Sequence, residues 1–301
     1  MESVETSGVG LYKAVRVFKE LDQIAEEQQH KLGLDHQHHF EDDNAILLPL
    51  EQVWTHDQLH YEGTHALDRT IHKVGLKQGQ EVLDVGSGLG GPARYLAHKA
   101  GVRVVGVELQ EDMCAAACKI TSLTELRNSD HVRFVQGDFL HMGDESLTKY
   151  TTRGEGFDCV MSILTVLHIE AKADLFARCC RLLKPGGALY LEDYYEAGEM
   201  NQHTKQALEE QVGCAMPIPT KDRYLELLGQ AGFVDVEFED VTSSWWEFVR
   251  ERANQYRANL DRHKRVQGDH DHVESLDAFY QTVAQLFDPS RRPGLGYCRS
   301  Q

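Results

Sequence analysis

Residues 82–91 read VLDVGSGLGG. An apolar run ends in a cluster of glycines, and GPARYLAHKA (91–100) follows with the composition of a helix. Glycine at such a junction lets the chain turn sharply and brings backbone amides close to a ligand at a helix start. The spacing alone is ambiguous. Gly86, Gly88 and Gly91 spell GxGxxG, the dinucleotide fingerprint, and Gly86, Gly88 and Gly90 spell GxGxG.

Working outward, short β-branched runs alternate with helical stretches. EVLDVG (81–86), VRVVGVEL (102–109), VRFVQGD (132–138), FDCVMSIL (157–164) and ALYLEDY (188–194) read as five strands. Residues 111–126 and 170–183 read as helices between them. Strands alternating with helices imply an α/β fold with a doubly wound, mostly parallel sheet. Beyond residue 195 the expected elements are helices over 199–215 and 221–233, a strand VDVEFEDV (234–241), and a long charged helix over 245–264. A helix over 273–287, a loop over 288–294 and a closing edge strand LGYCRS (295–300) complete a seven-stranded sheet. Before the core, Ala14, Val17, Phe18 and Leu21 recur at helical spacing. The expected organisation is a helical cap over 1–75, a Rossmann-like core over 76–195, and a substrate-side part over 196–301.

Composition narrows the function. The chain has 301 residues and a net charge of −17. Polyanions are repelled by such a surface, so nucleic acid is not the expected partner. The seven cysteines are odd in number and several sit in apolar runs, which suits reduced, buried thiols. No secretory h-region and no run of about 18 apolar residues is visible, so the expected location is cytoplasmic and off the membrane. His36, His38 and His39 form a polar turn, and no metal site is expected.

Four neighbours bear on the glycine loop. Asp84 can receive an ammonium group, which a pyrophosphate ligand would not offer. Glu108 ends the second strand and can accept from two ribose hydroxyls, a role that dehydrogenases also use. Asp138 can accept from an adenine amino group while Phe139 packs on the ring. Leu183-Lys184-Pro185-Gly186-Gly187 is a tight turn into the fifth strand. Each has a plain reading as well: a cap, a solvated strand end, a turn. Together, at strand ends and in order, they favour the GxGxG form and S-adenosylmethionine.

In VLDVGSGLGG (82–91), VVGVEL (104–109), GDF (137–139) and LLKPGGALYLED (182–193), the chain resembles class I methyltransferases that use S-adenosylmethionine. The likeness covers about residues 60–195. VWTHDQLHYEG (53–63) is similar to the pre-core segment of sarcosine and dimethylglycine N-methyltransferases. The stretch 164–169 and PTKDRYLELL (219–228) look like phosphoethanolamine N-methyltransferases, with Leu164 where that family has an Asp. The resemblance implies a cofactor site at Asp84, Gly86, Ser87, Gly88, Glu108, Leu109, Asp138, Phe139 and Leu164. It implies catalytic roles for His168, as base or orienter, and for His60 and Tyr61 in a lid. A small polar methyl acceptor, an amine of glycine, sarcosine, dimethylglycine or phosphobase type, is the expected substrate. Tyr194, Tyr195, Trp245 and Trp246 could enclose a cationic product by cation–π attraction. The alternatives are a sulfur or oxygen acceptor, an NAD-dependent oxidoreductase, and a cofactor-binding scaffold without turnover.

Overall fold

The computed structural model describes residues 14–32, 47–291 and 294–300. The chain forms two compact units. The first comprises the described residues of 13–161 together with 182–188. The second comprises 162–181 and the described residues of 189–301. The polar turn at His36, His38 and His39 lies outside the described residues.

In the first unit, α1 (Ala14–Leu32), α2 (Leu50–Asp57) and α3 (Thr64–Val74) precede an alternating series. That series is β1 (Glu81–Val85), α4 (Gly91–Ala100), β2 (Arg103–Glu108), α5 (Glu111–Ser122), β3 (Val132–Gln136), the single turn α6 (Glu145–Thr148) and β4 (Phe157–Ile163). The four strands are parallel in the order β3-β2-β1-β4. All five residues of β1 are buried, as expected for a central strand with both faces covered. On α1, the helical spacing is expressed as buried Val17, Leu21 and Ala25. Helix α4 starts after Gly90, carries Pro92 in its first turn and stops at a left-handed Gly101, so sequence punctuation sets both ends.

The second unit carries a 3₁₀ turn (Val166–His168), α7 (Lys172–Leu182) and β5 (Leu183–Glu196), whose last eight residues belong here. It continues with α8 (Gln202–Ala207), one π turn (Leu208–Val212), α9 (Lys221–Ala231) and β6 (Phe238–Asp240). The helices α10 (Thr242–Ala258), α11 (Leu260–Gln267) and α12 (His270–Leu286) follow, then β7 (Leu295–Ser300). Strand β7 runs antiparallel between β5 and β6. Helices α10 and α12 are joined by Trp246 Nε1 donating to Ala284 O at 3.2 Å and by Arg257 on Asp277 at 2.7 Å.

The α/β class and mostly parallel character hold, and several expectations are corrected. The sheet has seven strands, six of five residues or more and β6 with only three. The alternation over 234–241 does not extend β6, because Val234 is 81 % exposed and Asp235 sits at φ 54, which breaks the extended chain. LGYCRS is not an edge; it lies inside, and β6 takes the edge. The long helix expected over 245–264 begins three residues earlier and breaks at Asn259, whose backbone (φ −106, ψ 17) is not helical. The KPGG turn is taken into β5, with Gly186 at φ 78 and Lys184 bonded to both Glu81 and Asp158.

Candidate active site

Strand β1 delivers Asp84 to the glycine loop, and β2 delivers Glu108 beside it. Asp84 is 2 % exposed, and its Oδ2 has no hydrogen-bond partner. Burial, and then the charge of Glu108, push its carboxyl up to about 7. The hydroxyl of Ser87 is buried and likewise without a partner. Buried polar atoms are normally satisfied, and these two lie side by side at the entry to the glycine loop, where the polar groups of a ligand would satisfy both. The carboxylate suits an ammonium group, and the hydroxyl can donate or accept.

Glu108 is oriented by backbone amides. Gly88 N–H donates to one carboxylate oxygen at 2.8 Å and Gln110 N–H to the other at 3.0 Å. The carboxylate keeps accepting capacity for a hydroxyl beyond these amides. Burial raises its pKa above the usual range. Leu109, the next residue, is 62 % exposed, an apolar surface beside an acid. Gly106 on β2 leaves room for Ser87, since a Cβ there would lie 2.7 Å from the Ser87 Cβ.

Two glycines show why this loop tolerates no side chain. Gly90 sits at φ 76, and a Cβ on it would lie 2.2 Å from the Phe134 ring. A Cβ on Gly91 would lie 2.5 Å from the carbonyl oxygen of Asp57. The third glycine of GxGxxG is therefore a packing residue at the start of α4, and GxGxG carries the turn.

The pre-core segment lies on this loop. The Leu59 side chain is 3.6 Å from where a Gly88 Cβ would be. His60 and Tyr61 are buried, at 4 % and 3 % exposure, and His60 Nε2 is 3.0 Å from Gly63 O. As placed, both are packed side chains of a closed turn, and Glu62 (φ 59) is bonded to Arg69. The anchor is one that sequence reading misses. Arg94, fully buried on α4, binds Asp57 at 2.8 Å, Thr121 Oγ1 at 2.8 Å and Ala117 O at 3.1 Å, and also the carbonyl of Leu89 in the glycine loop. A lone Arg inside an apolar helical stretch was the available signal.

After β3, Asp138 is half-exposed. Its oxygens accept from Leu140 N–H at 2.9 Å and from His141 Nδ1 at 2.7 Å, closing a turn. Phe139 is buried.

In the second unit, Leu164 follows β4 at φ 54, a left-handed conformation that is strained for a branched side chain. His168 ends the 3₁₀ turn. Its Nδ1 is 2.8 Å from Gly213 O. A carbonyl only accepts, so Nδ1 carries the hydrogen and Nε2 keeps its lone pair. Desolvation by the surrounding chain lowers the His168 pKa, the bond to Gly213 O opposes it, and the Lys172 charge adds a smaller lowering. The four aromatic residues form no open cage. Trp245 is fully buried, Tyr194 packs edge-on against Phe287 at 4.6 Å, and Tyr195 donates to Asp240 at 2.8 Å. The described cysteines are free thiols, and burial pushes Cys159 and Cys179 up to about 12, so neither is a nucleophile at neutral pH.

A family model described as a methyltransferase domain matches residues 76–232, just over half of the chain. This chain belongs to the methyltransferase domain family. The methyltransferase is 30 % identical to phosphoethanolamine N-methyltransferase 1 of Arabidopsis thaliana, over 68 % of this chain and 39 % of that protein. It is 31 % identical to a sterol 24-C-methyltransferase of Saccharomyces cerevisiae, over 61 % of this chain and 50 % of that protein. It spans about two fifths of the length of the phosphoethanolamine methyltransferases it matches. Among solved structures, a Haemonchus contortus phosphoethanolamine N-methyltransferase 2 superposes with a TM-score of 0.68 at 22 % identity. That match covers 81 % of this chain and 53 % of the other. The methyltransferase thus has the expected fold, and the oxidoreductase reading of GxGxxG is set aside. Among the described residues no helix is long and apolar enough to cross a membrane.

Proposed function

We propose that this chain is an S-adenosylmethionine-dependent enzyme that methylates an amine nitrogen of a small polar acceptor in the cytoplasm. The observation that carries the reading is the orphaned, buried Asp84 carboxylate in the glycine loop next to Glu108. Asp84 would hold the ammonium of the methionine part, with Gly86, Ser87 and Gly88 supplying the close backbone around it. Glu108 would accept from the ribose hydroxyls, while Asp138, Phe139 and Leu109 would enclose the adenine. When bound, the cofactor supplies an already activated methyl group on a sulfonium.

The remaining work is alignment and one proton. A protonated amine has no lone pair for the methyl, so a base must take its proton before the displacement. His168 is suited to this, with Nδ1 fixed on Gly213 O and Nε2 open to accept. His60 and Tyr61, buried directly after Leu59, which packs on Gly88, would shape the entry rather than react. The net charge of −17 suits a small cationic or zwitterionic acceptor over a nucleic acid. The phosphoethanolamine relatives and the expected proton transfer both support nitrogen; the sterol relative keeps a carbon acceptor in the test.

Titration calorimetry with S-adenosylmethionine and S-adenosylhomocysteine tests the cofactor, and mass spectrometry of products from phosphoethanolamine, glycine, sarcosine, dimethylglycine and a sterol tests the acceptor. Binding of both forms and a mass gain on an amine support the proposal. No heat with either form from folded protein sinks it. His168→Gln is expected to lower kcat by about 10²-fold with cofactor binding intact.

A further inference from the structure

The last stretch of strand β5 carries a carboxylate that the chemistry above does not use. Asp193 is 1 % exposed, beside Glu192 near the end of the largely buried stretch ALYLEDY. One of its oxygens accepts from the amides of Thr165 at 3.0 Å and Leu167 at 3.3 Å. The other accepts from Tyr194 N–H at 2.7 Å. Thr165 and Leu167 belong to the segment that follows the strained Leu164 and ends in His168. The carboxylate therefore grips the stretch that carries the imidazole.

A second set of bonds fixes the partner of that imidazole. Ala215 N–H donates to Leu167 O at 2.7 Å, and Lys172, only 6 % exposed, donates to Ile169 O at 2.7 Å and reaches Ala215 O at 3.4 Å. Gly213, which receives the His168 ring, lies in this same short segment. The charge of Lys172 faces Asp193, and the buried Cys214 faces both.

We propose that Asp193 is a positioning residue for methyl transfer: by accepting the amides of Thr165 and Leu167 it fixes the turn that sets the His168 ring on Gly213 O. The proposal rests on His168 as the base. Burial without need would be costly for such a carboxyl, which is pushed up to about 7 by desolvation and drawn back by its amide donors and Lys172. Its acceptor geometry, not its charge, is what the turn requires. An amide side chain in its place keeps one acceptor oxygen for Thr165 and Leu167 while its NH2 group meets the Tyr194 N–H, and a methyl group keeps none.

The test compares Asp193→Ala with Asp193→Asn by ¹⁵N NMR of the histidine rings and by steady-state kinetics. Asp193→Ala is expected to lose the Nδ1-protonated tautomer of His168 and to lower kcat by about 10-fold or more, with both KM values and S-adenosylhomocysteine binding within about twofold. Asp193→Asn, with its oxygen turned to Thr165 and Leu167, is expected to restore the tautomer and part of kcat. Should the alanine protein not fold, Asp193→Glu moves the carboxylate outward by one methylene and is expected to show the same loss. An unchanged His168 tautomer in Asp193→Ala, or in Asp193→Glu where that replaces it, overturns the proposal. The spectrum decides this independently of catalysis. If His168→Gln keeps full turnover, the base assignment fails while the tautomer still reports on Asp193.

Discussion

Replacing Asp84 by Asn should make the apoprotein more stable and the enzyme nearly unable to hold its cofactor. Asp84 has no hydrogen-bond partner for Oδ2, and its carboxyl is pushed from 3.8 to about 7 by burial and by Glu108. The sign follows from linkage. The folded state keeps a proton that the unfolded chain has already released, so the contribution of Asp84 to stability is full at low pH. It is lost as pH rises through about 7. At 1.36 kcal/mol per pH unit, the interval is worth at most about 4 kcal/mol above neutrality. Asp84→Asn removes the ionisation and should recover about 2–4 kcal/mol there, a rise in Tm of several degrees. Cofactor binding needs the ionised form. Loss of a buried carboxylate–ammonium contact costs about 2–5 kcal/mol, a weakening of roughly 30-fold or more. In the unchanged protein, S-adenosylhomocysteine affinity should fall towards tenfold per pH unit below about 7. Calorimetry and thermal unfolding across neutrality measure both arms. The reasoning is refuted if Asp84→Asn binds S-adenosylhomocysteine as tightly as the parent, or if its apoprotein is less stable at alkaline pH.

Gly90→Ala forces a Cβ into the Phe134 ring at φ 76, and should cost about 1–3 kcal/mol in urea unfolding and abolish donor binding. Asp57→Ala strands the buried Arg94 guanidinium and should cost about 3–5 kcal/mol, whereas the double change Asp57→Ala, Arg94→Met should recover part of that loss in the same assay. Leu109→Ser acts on an exposed side chain, so unfolding should be unchanged within about 0.5 kcal/mol while donor affinity drops severalfold by calorimetry.

The glycine loop and the acids around it were legible because buried strands leave little choice of sequence. VLDV and VVGVE can only be interior, so an acid among those residues stands out. Arg94 and Asp193 carry the same kind of signal, a charge inside an apolar run, yet their partners come from distant segments that spacing does not link. The later part of the chain was less readable for a related reason. VDVEFEDV alternates as a strand should, but pairing decides, and only three of its residues find a partner strand. Aromatic pairs such as Tyr194–Tyr195 and Trp245–Trp246 suggest a ligand cage on paper, while burial assigns most of them to packing.

The insertion of β7 between β5 and β6 has a consequence for how the chain is made. Strand β6 leaves the ribosome more than fifty residues before the strand on which it docks, and β5 waits longer still. Until β7 emerges, both wait with unsatisfied edges, and the contacts that close this half are the most distant in sequence, which slows folding and invites association of nascent chains. Synthesis from one end thus leaves the assembly of β5, β7 and β6 as a late event, and a stalled chain lacking residues 295–300 should be a client for chaperones.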